Sequence, residues 1–200
     1  NDNITISYCE IGYIGGTESK NAPLGNGIQF GLGGSNIVAD HNYVYQCYDA
    51  GITPQIWESY KADDFNGVTI SNNLLTNNFY NLEVWADGNS KLQNIVITNN
   101  VLNNAGYCWS WDQRFETVGN GPFLSSHIYG SRDTLNTSVN NSIIITGNTF
   151  NNARALQVAW YWDNEGVETF PGLTAEGNTY FQSKGSLNSG LMLYGNTDPT

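Results

Sequence analysis

One pattern recurs through almost the whole sequence, and it constrains the fold more than any other feature. Six segments align without gaps, and they begin at Asn3, Asn36, Gly67, Asn94, Ser142 and Gly172. Their first apolar column holds Ile4, Ile37, Val68, Ile95, Ile143 and Leu173, and a second apolar column follows two residues later. Alternation with a period of two predicts a strand that buries one face.

A column of asparagines follows these two apolar columns. Five residues after the first column come Cys9, Asn42, Asn73, Asn100, Asn148 and Asn178. Asparagine tolerates left-handed backbone conformations, and its amide can hydrogen-bond to the copy above. The column therefore predicts a tight bend at which asparagine side chains stack.

After the bend the apolar pattern resumes, and in most copies a second strand follows. These second strands are expected from Gly27, Gly51, Leu82, Trp109, Leu156 and Leu191. The first column advances by 33, 31, 27, 48 and 30 residues, so all but one interval is close to thirty. A strand, a bend, a second strand and a variable loop at this spacing predict one coil of a parallel β-helix.

The six copies resemble the right-handed parallel β-helix proteins, a group that includes pectate lyases, polygalacturonases and many carbohydrate-active modules. The resemblance covers about residues 3 to 194 and implies an all-β, right-handed parallel β-helix of about six coils with long loops on one side. We expect residues 1–200 to form a single domain cut from a larger multidomain protein. The long interval predicts an excursion from about Asp112 to Asn140, and a degenerate coil can lie within it around Phe123 to Tyr129.

Composition limits the partners that such a chain can have. With 18 acidic and 7 basic residues, its net charge is −11, which repels nucleic acid and anionic membranes. The three cysteines have no metal-type spacing and are expected to be small buried thiols. His41 and His127 are isolated in the sequence, so we expect each to be structural or a surface group.

Tryptophans and carboxylates recur where the second strands are expected to leave the core. Equivalent positions stack in a solenoid, so these groups predict a band along one side, with coils about 4.8 Å apart. That spacing is comparable to one unit of an extended β-linked glycan. Tryptophan faces suit sugar rings, and carboxylates accept hydrogen bonds from hydroxyls. The residues are Trp57 and Glu58, Trp85 and Asp87, Trp109, Trp111 and Asp112, and Trp160, Trp162 and Asp163.

The purely structural alternative is that these tryptophans cover the core and that the acids keep the loops soluble. Between Tyr107 and Trp111 the register is open, because either the two tryptophans or Cys108 and Ser110 can point inward. A catalytic alternative also exists, since carboxylates on neighbouring coils can reach the separations that glycosidases use. The polygalacturonase and pectate lyase motifs, however, are not present.

We therefore expect a non-catalytic module that binds a neutral plant cell-wall polysaccharide through the tryptophan and acid band, with Arg114 adding a hydrogen bond or meeting an acidic substituent. In fold, size and surface chemistry it most resembles the β-helix modules that bind xylan. The resemblance implies a secreted or cell-surface bacterial protein, covalently joined to a catalytic domain such as a xylanase. No cofactor is required, although calcium could bind at residues 87–90 or 163–165. The alternatives are a truncated or divergent β-helix glycoside hydrolase or polysaccharide lyase, and a repeat segment of an adhesin.

Overall fold

The chain forms an all-β parallel solenoid. The computed structural model describes residues 2–16, 25–56, 64–87, 90–111, 125–133, 142–162, 172–183 and 192–195, and within these ranges eighteen strands form three six-stranded sheets. Each turn of the chain gives one strand to each sheet, and all neighbouring strands are parallel. The four inner turns pair with neighbours on both sides. The parallel β-helix predicted from the repeat is therefore confirmed.

The three sheets, called A, B and C, follow one another along every turn. Sheet A holds β1 (Asp2–Ser7), β4 (Gly34–Asp40), β7 (Phe65–Ser71), β10 (Leu92–Thr98), β13 (Ile143–Thr146) and β16 (Leu173–Glu176). Sheet B holds β2 (Glu10–Gly12), β5 (Tyr43–Tyr45), β8 (Leu74–Thr76), β11 (Val101–Asn103), β14 (Thr149–Asn151) and β17 (Thr179–Phe181). Sheet C holds β3 (Ile28–Gly31), β6 (Ala50–Ile56), β9 (Tyr80–Asp87), β12 (Ser126–Asp133), β15 (Leu156–Trp162) and β18 (Met192–Gly195).

Each coil thus has three strands, where the sequence pattern predicts two. The apolar column that resumes after the bend forms its own strand of three residues in sheet B, such as β8 around the buried Leu75. Sheet C then supplies the strand that was expected to be the second. The repeat columns themselves are confirmed, because Ile37 lies opposite both Ile4 and Val68 in sheet A.

The asparagine column forms a buried ladder between sheets A and B. Asn73 donates to Asn100 Oδ1 from its backbone nitrogen at 2.9 Å and from Nδ2 at 3.0 Å. Asn100 donates to Asn148 in the same two ways, at 2.9 Å each. The left-handed residue of the bend is the one before the ladder, for example Asn72 (φ 56°) and Asn99 (φ 56°). The stacked bend is therefore present, with the strained conformation one position earlier than the ladder.

The fourth coil differs from its prediction. The second strand expected at Trp109 is absent there, since residues 104–111 form a turn and β12 (Ser126–Asp133) takes the place in sheet C. In this turn Cys108, Ser110 and Trp111 are buried, while Trp109 remains 39% exposed. Of the two alternatives considered for Tyr107 to Trp111, the one with Cys108 and Ser110 pointing inward is confirmed, although Trp111 is buried as well and the segment is a turn instead of a strand.

Two of the three cysteines are buried thiols, as expected. Cys47 lies in the core, where desolvation raises the pKa of its thiol to about 12, and Cys108 is buried in the turn after β11. Cys9 is exposed, so the prediction is wrong for it. Its position follows β1, which is the end strand of sheet A.

Within the described ranges, the structure contains no helix with the length and apolar character needed to cross a bilayer.

Candidate functional site

The outer face of sheet C carries an unusual concentration of polar and aromatic side chains. Alternation along β9 places Leu82, Val84 and Ala86 in the core, so Glu83 and Trp85 lie on the opposite face. The parallel register sets Glu83 opposite Tyr129 and Trp85 opposite Gln55. The same face continues into the first coil, where Gln29 lies opposite Thr53.

A directed row of hydrogen bonds crosses three coils of this face. Asn26 Nδ2 donates to Gln29 Oε1 at 3.1 Å, and Gln29 Nε2 donates to Gln55 Oε1 at 3.0 Å. Gln55 Nε2 donates to Glu83 Oε2, which also accepts from the Thr53 hydroxyl at 3.3 Å. Because Gln55 and Thr53 both act as donors here, the Glu83 carboxylate is held as an acceptor. We call this set, Asn26, Gln29, Gln55 and Glu83, the amide row.

Two aromatic side chains flank the carboxylate end of the amide row. Trp85 and Tyr129 are half-buried, while Glu83 is only 7% exposed and Gln29 is exposed. The Tyr129 ring stacks on Tyr80, with centroids 4.4 Å apart and planes inclined by 27°, which fixes its orientation. The face thus combines polar groups repeated at the coil spacing with apolar ring surfaces. Gln55 and Glu83 are buried, so a ligand meets Gln29 and the partly exposed rings of Trp85 and Tyr129. These groups can hydrogen-bond a hydroxyl and pack against flat apolar faces.

Trp160 does not belong to this face. Its side chain is fully buried in the core, opposite Gly130 of the neighbouring strand. A Cβ atom at Gly130 would lie 2.3 Å from the indole ring, so glycine there makes the space that the ring fills. The prediction that Trp160 is a solvent-facing stacking residue is therefore wrong.

Trp111 and Trp109 are also separated from Trp85. Trp111 is 5% exposed, and the Arg154 guanidinium lies 3.8 Å from its ring centroid, so its predicted solvent-facing position is wrong. Trp109 donates from Nε1 to the Gln46 carbonyl at 2.9 Å, at the turn that precedes sheet C. Trp85 lies near the other end of the sheet C strands. These tryptophans do not form the single band that stacking of equivalent positions predicts.

The remaining predicted site residues fall largely outside the described part of the chain. Trp57, Glu58, Asp112, Arg114 and Asp163 lie outside the described residues, and so do the side chains of Asp87 and Trp162. The backbone register places Asp87 opposite Asp133. Among the side chains that the structure describes, no three His, Cys, Asp or Glu residues form a metal-sized cluster.

Sequence reasoning missed Glu83, Gln29 and Gln55, although a signal for Glu83 was available. Glu83 lies between two apolar core residues in Leu-Glu-Val-Trp, so a period of two places it on the outer face in mid-strand. The acids of the predicted band lie near strand ends, whereas Glu83 lies in the middle of β9, so the pattern placed it on the sheet itself. No comparable signal existed for the glutamines, which become a row only through the register between coils.

No protein-family model, curated protein or solved structure gives a significant match to this chain. The fold is therefore assigned from the structure itself, and the likeness to xylan-binding modules belongs to the proposal below.

Proposed function

We propose that the chain is a non-catalytic carbohydrate-binding module that recognises a neutral β-linked plant cell-wall polysaccharide, with xylan as the first candidate. The ligand lies on the outer face of sheet C and crosses the coils along the solenoid axis. The observation that carries this proposal is the amide row, which holds the exposed Gln29 in place on the same sheet face as the partly exposed Trp85 and Tyr129. The module would act outside the cell, joined to a catalytic domain, and without a required cofactor.

The chemistry of the face supports a neutral, hydroxyl-rich ligand. Amide groups both donate and accept hydrogen bonds, as sugar hydroxyls do, so Gln29 can pair with a hydroxyl in either direction. The carboxylate of Glu83 and the net charge of −11 disfavour polyanions such as polygalacturonate. Strands of a sheet are about 4.8 Å apart, so Gln29 on the first coil and Trp85 on the third are separated along the axis by about two units of an extended glycan.

Replacing Trp85 or Gln29 by alanine is expected to weaken xylan binding about tenfold each, or about 1.4 kcal/mol. Trp85 would lose ring contact with a sugar face, and Gln29 is the exposed member of the amide row. Affinity gels or calorimetry with xylan, β-glucan, mannan and pectin measure the effect. The matched control is Gln93→Ala, because Gln93 belongs to sheet A, away from this face.

Two results would contradict the proposal. Equal retention by Gln29→Ala, Trp85→Ala and the native chain would remove the outer face of sheet C as the site. Release of soluble sugars at enzymatic rates from any of the four glycans would replace the binding module by an enzyme. Circular dichroism and thermal unfolding of each variant confirm that the solenoid is intact.

A further inference from the structure

Every coil contains left-handed residues at its turns, and the residue types there change along the solenoid. Between sheets A and B the positive-φ residues are Tyr8, His41, Asn72, Asn99, Gly147 and Gly177. Directly after the sheet B strands, the positive-φ residues are Tyr13, Gln46, Asn77, Asn104 and Asn152. From the third coil onward, only asparagine and glycine occupy these positions in the described residues. The first two coils use tyrosine, histidine and glutamine instead.

Tyrosine, histidine and glutamine are less favourable at these left-handed positions than asparagine or glycine. A left-handed conformation costs about 1 to 2 kcal/mol for residues other than glycine and asparagine. Gln46 has a packing role that offsets the cost, because its side chain accepts a hydrogen bond from the Trp109 backbone at 3.0 Å. Tyr8 and Tyr13 are 78% and 71% exposed, so burial does not offset theirs. Strained aromatic residues that stay exposed are therefore the basis for a hypothesis of function.

Tyr8 and Tyr13 lie at the two ends of one aromatic surface on the outer side of sheet B. We call it the tyrosine patch, and it consists of Tyr8, Glu10, Tyr13, His41, Tyr43 and Tyr45. The Tyr8 ring stacks on His41, with centroids 5.0 Å apart and planes inclined by 17°. Tyr43 stacks on Tyr45 at 4.7 Å, and Tyr13 meets Tyr45 edge-on at 5.5 Å.

Glycine makes room for this arrangement. A Cβ atom at Gly12 would lie 2.4 Å from the Tyr45 ring, so the ring can rest on β2 only because residue 12 has no side chain. Tyr8 and Tyr13 are five residues apart, which limits their Cα separation to about 17 Å. The two exposed rings are therefore close enough for one short oligosaccharide to contact both.

The charges around the tyrosine patch disfavour an anionic ligand. The Tyr45 hydroxyl donates to Glu10 at 3.2 Å, and Asp40 accepts from Ser71, His41 and Asn72. These hydrogen bonds lower the pKa of Asp40 to about 2, so it stays ionised and repels anions. Glu10 and Asp40 thus disfavour an anionic ligand, and the choice of a neutral glycan over a cation rests on the proposed function. Exposed rings with hydroxyl edges suit sugar rings.

We propose that the tyrosine patch is a second binding site for a neutral glycan, on a different face from the amide row, so that one protein molecule binds two glycan chains. The choice of ligand rests on the proposed function, whereas the location rests on the strained, exposed tyrosines. Two sites on one rigid solenoid raise retention on an insoluble polysaccharide by avidity and allow soluble chains to be cross-linked.

The test replaces Tyr8 and Tyr13 by asparagine, the residue found at the equivalent turns of later coils. Each change is expected to raise the melting temperature by about 2 to 4 °C, because asparagine adopts the left-handed conformation with less strain than tyrosine. Affinity at the patch is expected to fall at least tenfold. Calorimetry with xylo-oligosaccharides should find two sites in the native chain, and only one site of native affinity in Tyr8→Asn, Tyr13→Asn or Trp85→Ala. Tyr107→Asn is the matched control, since Tyr107 is an exposed tyrosine outside the patch with no positive φ.

The possible results separate the two proposals. Two sites of native affinity in Tyr8→Asn and Tyr13→Asn would overturn the tyrosine patch and leave the amide row in place. If the native chain has a single site, and Trp85→Ala retains it while Tyr13→Asn does not, the tyrosine patch is supported. The outer face of sheet C is then overturned as a binding site. A native chain that binds none of the oligosaccharides would overturn both. Binding of a basic peptide there instead would overturn the glycan as the ligand of the patch.

Discussion

Replacing Asn100 by alanine is expected to lower the free energy of unfolding by about 3 to 5 kcal/mol. Asn100 Oδ1 accepts two hydrogen bonds from Asn73, and Asn100 Nδ2 donates to Asn148 and to the Ile70 carbonyl. All of these groups are buried. Each buried polar atom left without a partner costs about 1 to 3 kcal/mol, and alanine leaves several at once. Urea unfolding followed by circular dichroism measures the loss.

The neighbouring asparagine provides the control. Asn99 is exposed and has a φ of 56°, a conformation that glycine adopts without strain. Asn99→Gly should therefore change the unfolding free energy by less than about 1 kcal/mol. Similar losses for Asn99→Gly and Asn100→Ala would show that the bend, and not the ladder, carries the stability of this turn.

The native chain is expected to lose about 3 kcal/mol of stability between pH 7 and pH 4 through His127 alone. His127 is fully buried inside the solenoid, where Asn81 Nδ2 lies 2.8 Å from Nδ1. Desolvation lowers the pKa of His127 to about 3, against a small opposing effect of the Asn151 backbone. The unfolded chain binds the proton at about pH 6.5, so it holds more protons than the folded chain between the two values. Stability therefore falls as the pH drops through that window.

The variant His127→Gln should remove most of this pH dependence. Gln157 occupies the position equivalent to His127 in the following coil, and it is buried. It donates from Nε2 to the Phe181 carbonyl, so the interior accepts a glutamine. Urea unfolding of both proteins at pH 7, 5 and 4 measures the difference. A pH profile in the variant as steep as in the native chain would place the titrating group elsewhere.

The fold was largely predictable because the parallel register repeats the same environment in every coil. Columns such as Ile4 and Ile37 are visible in the sequence before any contact is known. The sheet B strands were missed because three residues, as in β2, are too few to show a period of two. The fourth coil was misplaced because Trp109 and Trp111 imitate a strand, although they lie in a turn that packs on Gln46 and Arg154.

The candidate site was less predictable because it depends on contacts between coils. Trp160 is buried because a glycine in the coil before it leaves space for an indole, and nothing in its own coil shows this. Alternation from Val158 favours an inward Trp160. The prediction placed it facing solvent because the strand was expected to leave the core at this point. The amide row joins residues 26, 29, 55 and 83, which share no motif and meet only through the register.

The amide row has its direction imposed from both ends. At one end Asn26 Oδ1 accepts from the Ala50 backbone N–H at 2.9 Å, and that group can only donate. At the other end Glu83 accepts from Gln55. Rotating the amide of Gln29 or Gln55 by half a turn would place oxygen against oxygen on one side and N–H against N–H on the other. Each amide in the row therefore has a single low-energy orientation. A ligand that arrives at Gln29 therefore meets a template that is already ordered and loses little further side-chain entropy on binding.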